Sequence, residues 1–320
     1  MGELVVGVDG SDGSRTALAW AVDEARLRGD DLTLVTVMPP PNLLITPAPI
    51  GEDLWRRADT EASQRARAVL EEMIAPHVAA GVAITPVALR GDTTFHALIR
   101  RATDADALIV GSRGLGALRR LLLGSVSSQV AVHAETTVVV VPEPPDQQRD
   151  DKVVVGIDGS THAGVALRRA ALEAALRGWE LELVMVQPPP PVAGSGGSGR
   201  DPVEAYMWVG TLVPGPVPDS DELADDYEHA ATRWRNLAEG LLDAELDRLD
   251  DATLPDKVTR TVISADHPAR ALLDIAAWAR LLVLGRRGRG GFTGMLLGSI
   301  SQHCVRHATS PVMIVPPDGA

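Results

Sequence analysis

The sequence predicts an α/β protein of two tandem domains, each an open, doubly wound sheet of five mostly parallel strands with helices on both faces. Three observations support this. The chain has 320 residues, which suits two domains of roughly 150 residues each. The segment that starts at Leu4 aligns without a gap with the segment that starts at Val153, so the chain contains an internal repeat. Within each repeat, short β-branched runs alternate with longer amphipathic patterns, as in a series of βα units.

The strands of the first repeat follow from its apolar runs, which are nearly continuous because a parallel sheet is buried on both faces. Gly29 and Gly178 come after the first helix of each copy and suit a left-handed C-cap. We expect a flavodoxin-like (Rossmann-like) arrangement in which the first and fourth strands are neighbours. The predicted strands are Leu4–Val8, Leu32–Val37, Val82–Leu89, Ala107–Val110 and Thr137–Val141.

Two blocks of the repeat show where the second copy carries extra residues. Asp9 maps to Asp158 at an offset of 149, whereas Gly111 maps to Gly285 at an offset of 174. The second copy therefore contains 25 additional residues, which we place in the Pro/Gly-rich stretch near 187–220. We predict a first domain over 1–145, a polar, proline-rich linker over 146–151 and a second domain over 152–320.

Composition and charge exclude several classes of protein. The formal net charge of −13 disfavours nucleic acid as a partner. No apolar run approaches the ~18 to 20 residues of a spanning helix, and Glu3 stands where a signal peptide would be positive, so we expect no membrane partner. The single cysteine, Cys304, cannot form an internal disulfide, which favours a cytoplasmic location. The two lysines are each followed by Val, which excludes a Walker A loop.

Each repeat carries the motif G-x2-G-x9-G-S after its fourth strand. The motif starts at Gly111 in the first copy and at Gly285 in the second. Its glycines allow the backbone to approach a phosphate closely. Ser125 and Ser299 then open a predicted helix, whose N-terminal amides favour an anion. The motif therefore predicts a phosphate-binding loop in each repeat.

The residues beside this motif suit a nucleotide. Arg113, Arg286 and Arg287 place positive charge next to the two loops. Asp9 and Asp158 follow the first strand of each copy, and each can accept hydrogen bonds from a ribose or a base. Alternatively, these aspartates cap the helix that follows them.

Both copies resemble the universal stress protein family, in its ATP-binding branch, over most of the chain. The resemblance implies one adenine nucleotide per domain, with ATP as the bound cofactor and any Mg²⁺ held by its phosphates. It also implies that the two domains pair through their last strands, Thr137–Val141 and Pro311–Val315. A role in the stress response is implied by the resemblance alone.

The residues assigned to the nucleotide, from the motif and the resemblance together, form matching sets. Glycines and serines of the motif are assigned to the phosphates, and residues at the ends of the first, second and fourth strands to the nucleoside. The first set is Gly7, Val8, Asp9, Val37, Val110, Gly111, Ser112, Arg113, Gly114, Gly124, Ser125, Val126 and Ser127. The second set is Gly156, Ile157, Asp158, Val186, Leu284, Gly285, Arg286, Arg287, Gly288, Gly298, Ser299, Ile300 and Ser301.

Three functions are compatible with these residues. The first is a nucleotide-binding regulatory or sensor protein, since no dedicated catalytic residue is evident. The second is a slow ATPase or phosphotransferase that uses the same sites, and the third is a non-catalytic dimerisation module. We expect a homodimer in addition to the intrachain pair, and a protein partner that the sequence does not identify. His303 and His307 have a spacing that metal ligands use, but no third ligand is evident, so we expect no metal site.

Overall fold

The computed structural model describes eight stretches of the chain, which together form one ten-stranded sheet with helices on both faces. The described residues are 2–38, 52–91, 93–114, 124–143, 148–188, 227–250, 253–288 and 296–317. The strands are β1 (Glu3–Gly7), β2 (Asp31–Met38), β3 (Ile84–Arg90), β4 (Ala107–Gly111), β5 (Thr137–Val141), β6 (Asp150–Gly156), β7 (Glu180–Gln187), β8 (Val258–Ser264), β9 (Ala279–Gly285) and β10 (Val312–Val315).

The helices connect successive strands, as the predicted βα units require. In these eight stretches, every helix is either too short or too polar to cross a lipid bilayer. The helices are α1 (Asp12–Arg28), α2 (Glu52–Ile74), α3 (Thr94–Arg101), α4 (Ser125–His133), α5 (Thr161–Arg177), α6 (Tyr227–Leu246), α7 (Pro268–Ala276) and α8 (Ser299–His307), with a 3₁₀ turn at Ala75–Ala80.

The strand order of the sheet is β3-β2-β1-β4-β5-β10-β9-β6-β7-β8. All neighbours within each half are parallel, whereas β10 runs antiparallel to β5 and joins the two halves. This confirms the doubly wound fold and the pairing through the last strands. Each half follows the Rossmann-type order, which places β1 beside β4 and β6 beside β9, as the predicted site requires.

The predicted strand boundaries agree closely with the observed ones. β5 coincides with its prediction, and the other predicted strands differ by one or two residues at their ends. Gly29 and Gly178 adopt φ of 71° and 63°, which confirms both left-handed C-caps. β6 begins at Asp150, inside the segment predicted as the linker. Residues 144–147 and nearly all of the predicted insertion lie outside the described residues.

The apolar core occupies both faces of the sheet and runs through both halves. Val6 and Val155 lie in one buried cluster together with side chains of α1 and α5. Val5 and Val154, one position away in each strand, lie in a second cluster on the opposite face. Because side chains alternate along a strand, only a continuous apolar run fills both faces.

A buried ion-pair cluster joins the C-terminal ends of α1 and α5. It consists of Glu24, Arg28, Arg169, Glu173 and Arg177. Arg28 bonds to Glu24 on its own helix and to Glu173 on the other, and Arg177 likewise bonds to Glu173 and to Glu24. The Glu173 side chain is fully buried and also accepts a bond from Arg169 at 2.6 Å. The crossed bonds relate the two copies by an approximate twofold axis.

The ion-pair cluster predicts a loss of stability in acid. Burial alone would raise the pKa of Glu173, but the guanidinium groups of Arg169, Arg28 and Arg177 outweigh it and lower the pKa from 4.5 to about 2. Because the folded-state pKa is the lower one, the carboxylate contributes stability above about pH 4.5, and this contribution is lost as the pH falls toward 2. Urea unfolding at several pH values is expected to show this decline. A Glu173→Gln variant whose deficit relative to wild type stays constant between neutral pH and about pH 3 would contradict the assignment.

Candidate functional site

The candidate site lies at the carboxyl ends of two neighbouring strands in each half, β1 with β4 and β6 with β9. A Cβ added to Gly114 would lie 2.3 Å from Oδ2 of Asp9. A Cβ added to Gly288 would lie at the same distance from Oδ2 of Asp158. The predicted convergence of the aspartate and the glycine-rich loop is therefore present in both copies.

Asp9 organises the turn before α1 without capping the helix itself. Its Oδ1 accepts hydrogen bonds from the amide of Ser11 at 3.0 Å and from the Ser11 hydroxyl at 2.6 Å. The Ser11 Oγ in turn accepts from the amide three residues on, so Ser11 is the N-cap. Ser160 caps α5 in the same way, and Asp158 accepts a hydrogen bond from the backbone amide of Ser160. The alternative that the aspartates are the caps is wrong.

The helices that follow the glycine-rich loops begin differently from α1 and α5. The N-cap residues of α4 and α8 are Gly124 and Gly298, and no side chain of the described residues caps either helix. Neither first turn contains an acidic residue. The first-turn amides therefore carry the positive end of the helix dipole with no acidic side chain in the same turn. Such a terminus suits an anion.

The motif serines divide into two kinds. Ser127 and Ser301 are buried, and their hydroxyls donate to main-chain carbonyls at the ends of the preceding strands, at 3.1 and 2.8 Å. They tie each helix back to the sheet. Ser125 and Ser299 are exposed at the first helical position, so theirs are the hydroxyls open to a ligand. The remaining predicted residues of these segments are Ser112, which is buried, Val126, which is half-buried, and Ile300, which is exposed.

The three arginines of the loops differ in what they contact. Arg113 and Arg287 occupy equivalent positions, and the Nε atom of each is buried with no hydrogen-bond partner in the described part of the chain. Arg113 also forms a long ion pair with Glu143, at 3.4 Å. Arg286 is buried and already donates to a carbonyl of its own loop at 2.9 Å and to Val132 O of α4 at 2.6 Å. Arg286 therefore joins the second loop to a helix of the first half, and Arg113 and Arg287 are better placed to reach an anion.

The apolar residues predicted at the nucleoside end also divide into two kinds. Val37 and Val186 are partly buried at the ends of β2 and β7 and present accessible surface. Gly7 and Gly156 are closely packed, since an added Cβ would lie 2.9 and 2.8 Å from leucine side chains, which would have to shift. Four predicted residues belong to the core, each with at most 6% of its surface exposed: Val8, Val110, Ile157 and Leu284.

His162, which is not among the predicted site residues, lies in the first turn of α5 beside the second loop. Its Nδ1 is buried and has no hydrogen-bond partner among the described residues. Burial and the charges of Arg287 and Arg286 lower the pKa of His162, against the opposing effect of Asp158. The ring is therefore neutral at pH 7, and its Nδ1 can donate or accept one hydrogen bond according to the tautomer. The equivalent residue of the first copy is Gly13, and this difference between the aligned repeats was the available signal.

Gly111 and Gly124 differ in the space around them, which separates a packing role from a binding role. A Cβ on Gly111 would lie 2.5 Å from the carbonyl oxygen of Gly13, whereas the nearest atom to a Cβ on Gly124 is at 3.4 Å. We expect Gly111→Ala to lower the free energy of unfolding by about 1–3 kcal/mol. Gly124→Ala should cost less than about 1 kcal/mol. Equal losses of the two variants in urea unfolding would show that the close approach at Gly111 is not important.

Comparisons with known proteins agree with the fold and the repeat. The family model described as "Universal stress protein family" matches residues 1–142, 151–209 and 209–316. Universal stress protein Rv1996 of Mycobacterium tuberculosis is 34% identical over an alignment of 340 positions that covers 99% of this chain and 96% of the relative. A universal stress protein of Mycolicibacterium smegmatis is 31% identical over an alignment that covers 98% of this chain and 97% of the relative. The crystal structure of a universal stress protein from Archaeoglobus fulgidus shares the fold, with a TM-score of 0.65 over 98% of both chains at 21% identity.

Proposed function

Because the chain belongs to the universal stress protein family and carries that family's domain in tandem, we propose that it is a regulatory protein that binds one ATP in each repeat. Occupied and empty repeats present different surfaces around α4 and α8. A protein partner that distinguishes these surfaces reads the nucleotide state of the chain.

The observation that carries this proposal is the start of α4 and α8 next to the glycine-rich loop, where no side chain of the described residues caps the helix. Three kinds of donor lie there in each half: first-turn amides, an exposed serine hydroxyl at Ser125 or Ser299, and the Nε of Arg113 or Arg287, which has no hydrogen-bond partner within the described stretches. All of them favour a polyanion. The same arrangement of donors occurs in both halves, which supports two sites for the same kind of ligand.

The other end of each site suits a nucleoside. The carboxylates of Asp9 and Asp158 accept hydrogen bonds, as a ribose hydroxyl or a base amine requires. Val37 and Val186 offer apolar surface for a base at the ends of the neighbouring strands. When bound, ATP would supply phosphate oxygens as hydrogen-bond acceptors for the donors of the loop. Mg²⁺ held by those phosphates would offset part of their charge.

The proposal includes a cytoplasmic location and a homodimer in addition to the intrachain pair. Light scattering on the purified protein is expected to give twice the chain mass of 33.8 kDa. A mass of one chain at micromolar concentration would remove the homodimer from the proposal.

The nucleotide content of the protein tests the proposal directly. Protein purified without added nucleotide is denatured, and the released small molecules are identified and counted by chromatography and mass spectrometry. We expect about two ATP per chain, one for each anion-favouring helix terminus. ADP, together with steady phosphate release above a contaminant level, would favour the slow ATPase. An empty protein that also fails to bind added ATP would overturn the proposal and leave the dimerisation module.

A further inference from the structure

A cleft of about 590 Å³ opens between the two halves of the molecule. It lies at the amino ends of β7, β9 and β10, whereas the proposed nucleotide site of that half lies at the carboxyl ends of its strands. Trp20, Leu27 and Trp179 form its apolar wall, and Arg149, Arg177 and Arg280 its cationic wall. Its volume is in the range of small-molecule sites.

Arg149 is the least compensated charge of this cleft. One of its terminal nitrogens donates to Thr309 O, but its Nε is buried and has no hydrogen-bond partner in the stretches that the structure describes. Burial and the nearby charge of Arg280 lower the pKa of Arg149. Arg149 is therefore partly dehydrated and under the influence of a second positive charge, and an anion in the cleft would offset this cost.

The acidic groups of the cleft are already engaged by other arginines. Glu24 belongs to the ion-pair cluster, where Arg28 and Arg177 bond to it. Asp23 pairs with Arg26, one turn along α1. Arg280 pairs with Asp151 at 2.6 Å. Among the described residues, no carboxylate forms an ion pair with Arg149, so an external anion is its natural partner.

The repeat shows that the fold does not require this arrangement. Trp179 aligns with Asp30, and Arg280 aligns with Asp106. In the first half these two aspartates bind main-chain amides at the start of β1, at 2.7 and 2.8 Å. In the second half the same positions carry an indole and a guanidinium group. The Cζ atom of Arg280 lies 5.5 Å from the centre of the Trp179 ring. The second half therefore differs in chemistry at this edge while the strands remain the same.

We propose that the cleft binds a small anion with a planar aromatic body, of the class of aromatic carboxylates. The carboxylate accepts hydrogen bonds from Arg149 and Arg280, and the ring packs against Trp179 and Trp20. A planar carboxylate matches the fork of donors on a guanidinium group. Aromatic rings contribute apolar area and favourable ring contacts with indoles.

Calorimetric titration with naphthoate tests the proposal, with neutral naphthamide as the matched probe of the same shape. We expect one naphthoate per chain and binding of naphthamide at least about tenfold weaker. Arg149→Gln is expected to weaken naphthoate binding at least about tenfold, and Arg280→Gln similarly. Arg65→Gln, which removes the same charge from an exposed position on α2, should leave the affinity unchanged. Saturating ATP should also leave it unchanged, because the two kinds of site lie at opposite edges of the sheet.

Several results would overturn this inference. Equal affinities of wild type and Arg149→Gln, with the variant shown to be folded by its thermal transition, would exclude the arginine from the site. Equal binding of naphthoate and naphthamide would exclude recognition of the anion. Displacement of naphthoate by ATP would place the probe in a nucleotide site. Failure of naphthoate to bind at millimolar concentration would remove aromatic carboxylates as the ligand class, whatever the outcome for ATP.

Discussion

Replacement of Glu173 by glutamine is expected to lower the free energy of unfolding by about 3–5 kcal/mol. The side chain is fully buried and is bonded by Arg28, Arg169 and Arg177. Glutamine keeps the shape but removes the negative charge, so these guanidinium groups lose their main compensation in a place with little water. Urea unfolding near neutral pH measures the loss.

An exposed ion pair of the same chain serves as the control. Glu72 pairs with Arg15 at 2.6 Å, but 66% of the Glu72 side chain is exposed. Glu72→Gln should therefore change the free energy of unfolding by less than about 1 kcal/mol. If the two variants lost the same stability, the burial of the cluster would not be what makes Glu173 important. Since the cluster and the β5–β10 pair both cross between the repeats, we expect the loss within one cooperative transition.

Replacement of Gly124 by aspartate is expected to weaken ATP binding to the first repeat at least about a hundredfold without destabilising the protein. Gly124 has φ of −71° and ψ of 157°, the backbone conformation of an N-cap, and an added Cβ meets no atom closer than 3.4 Å. Aspartate at this position caps α4, which stabilises the helix. The same carboxylate occupies the amides proposed for the phosphates and repels them. Calorimetric titration with ATP and thermal unfolding measure the two effects.

Two further variants separate charge from shape. Gly124→Asn places a cap of the same size without the negative charge, so it should weaken ATP binding less than Gly124→Asp does. Gly298→Asp makes the matched change at the start of α8 and should remove the second site alone. Each aspartate variant is thus expected to reduce the stoichiometry from two to one, and the double variant to abolish binding. Unchanged stoichiometry in both single variants would rule out the helix termini as phosphate sites.

The sequence alone determined the fold, the repeat and the place of the candidate site. Each of these depends on signals among residues that are close in the chain. The apolar runs predicted the strands because burial on both faces leaves few polar positions. Gly29 predicted the end of α1 because its left-handed conformation is a local property. The spaced glycines then placed the loops at the ends of strands that the repeat had already located.

The tertiary structure alone decided which groups of the site are available and what joins the two halves. Ser127 and Ser125 look alike in the sequence, but only the fold buries the first against a main-chain carbonyl and leaves the second exposed. Arg28 and Glu173 are 145 residues apart in the chain and meet because β5 and β10 bring α1 and α5 together. Burial and the choice of hydrogen-bond partner depend on such distant contacts. No local pattern of residues encodes them.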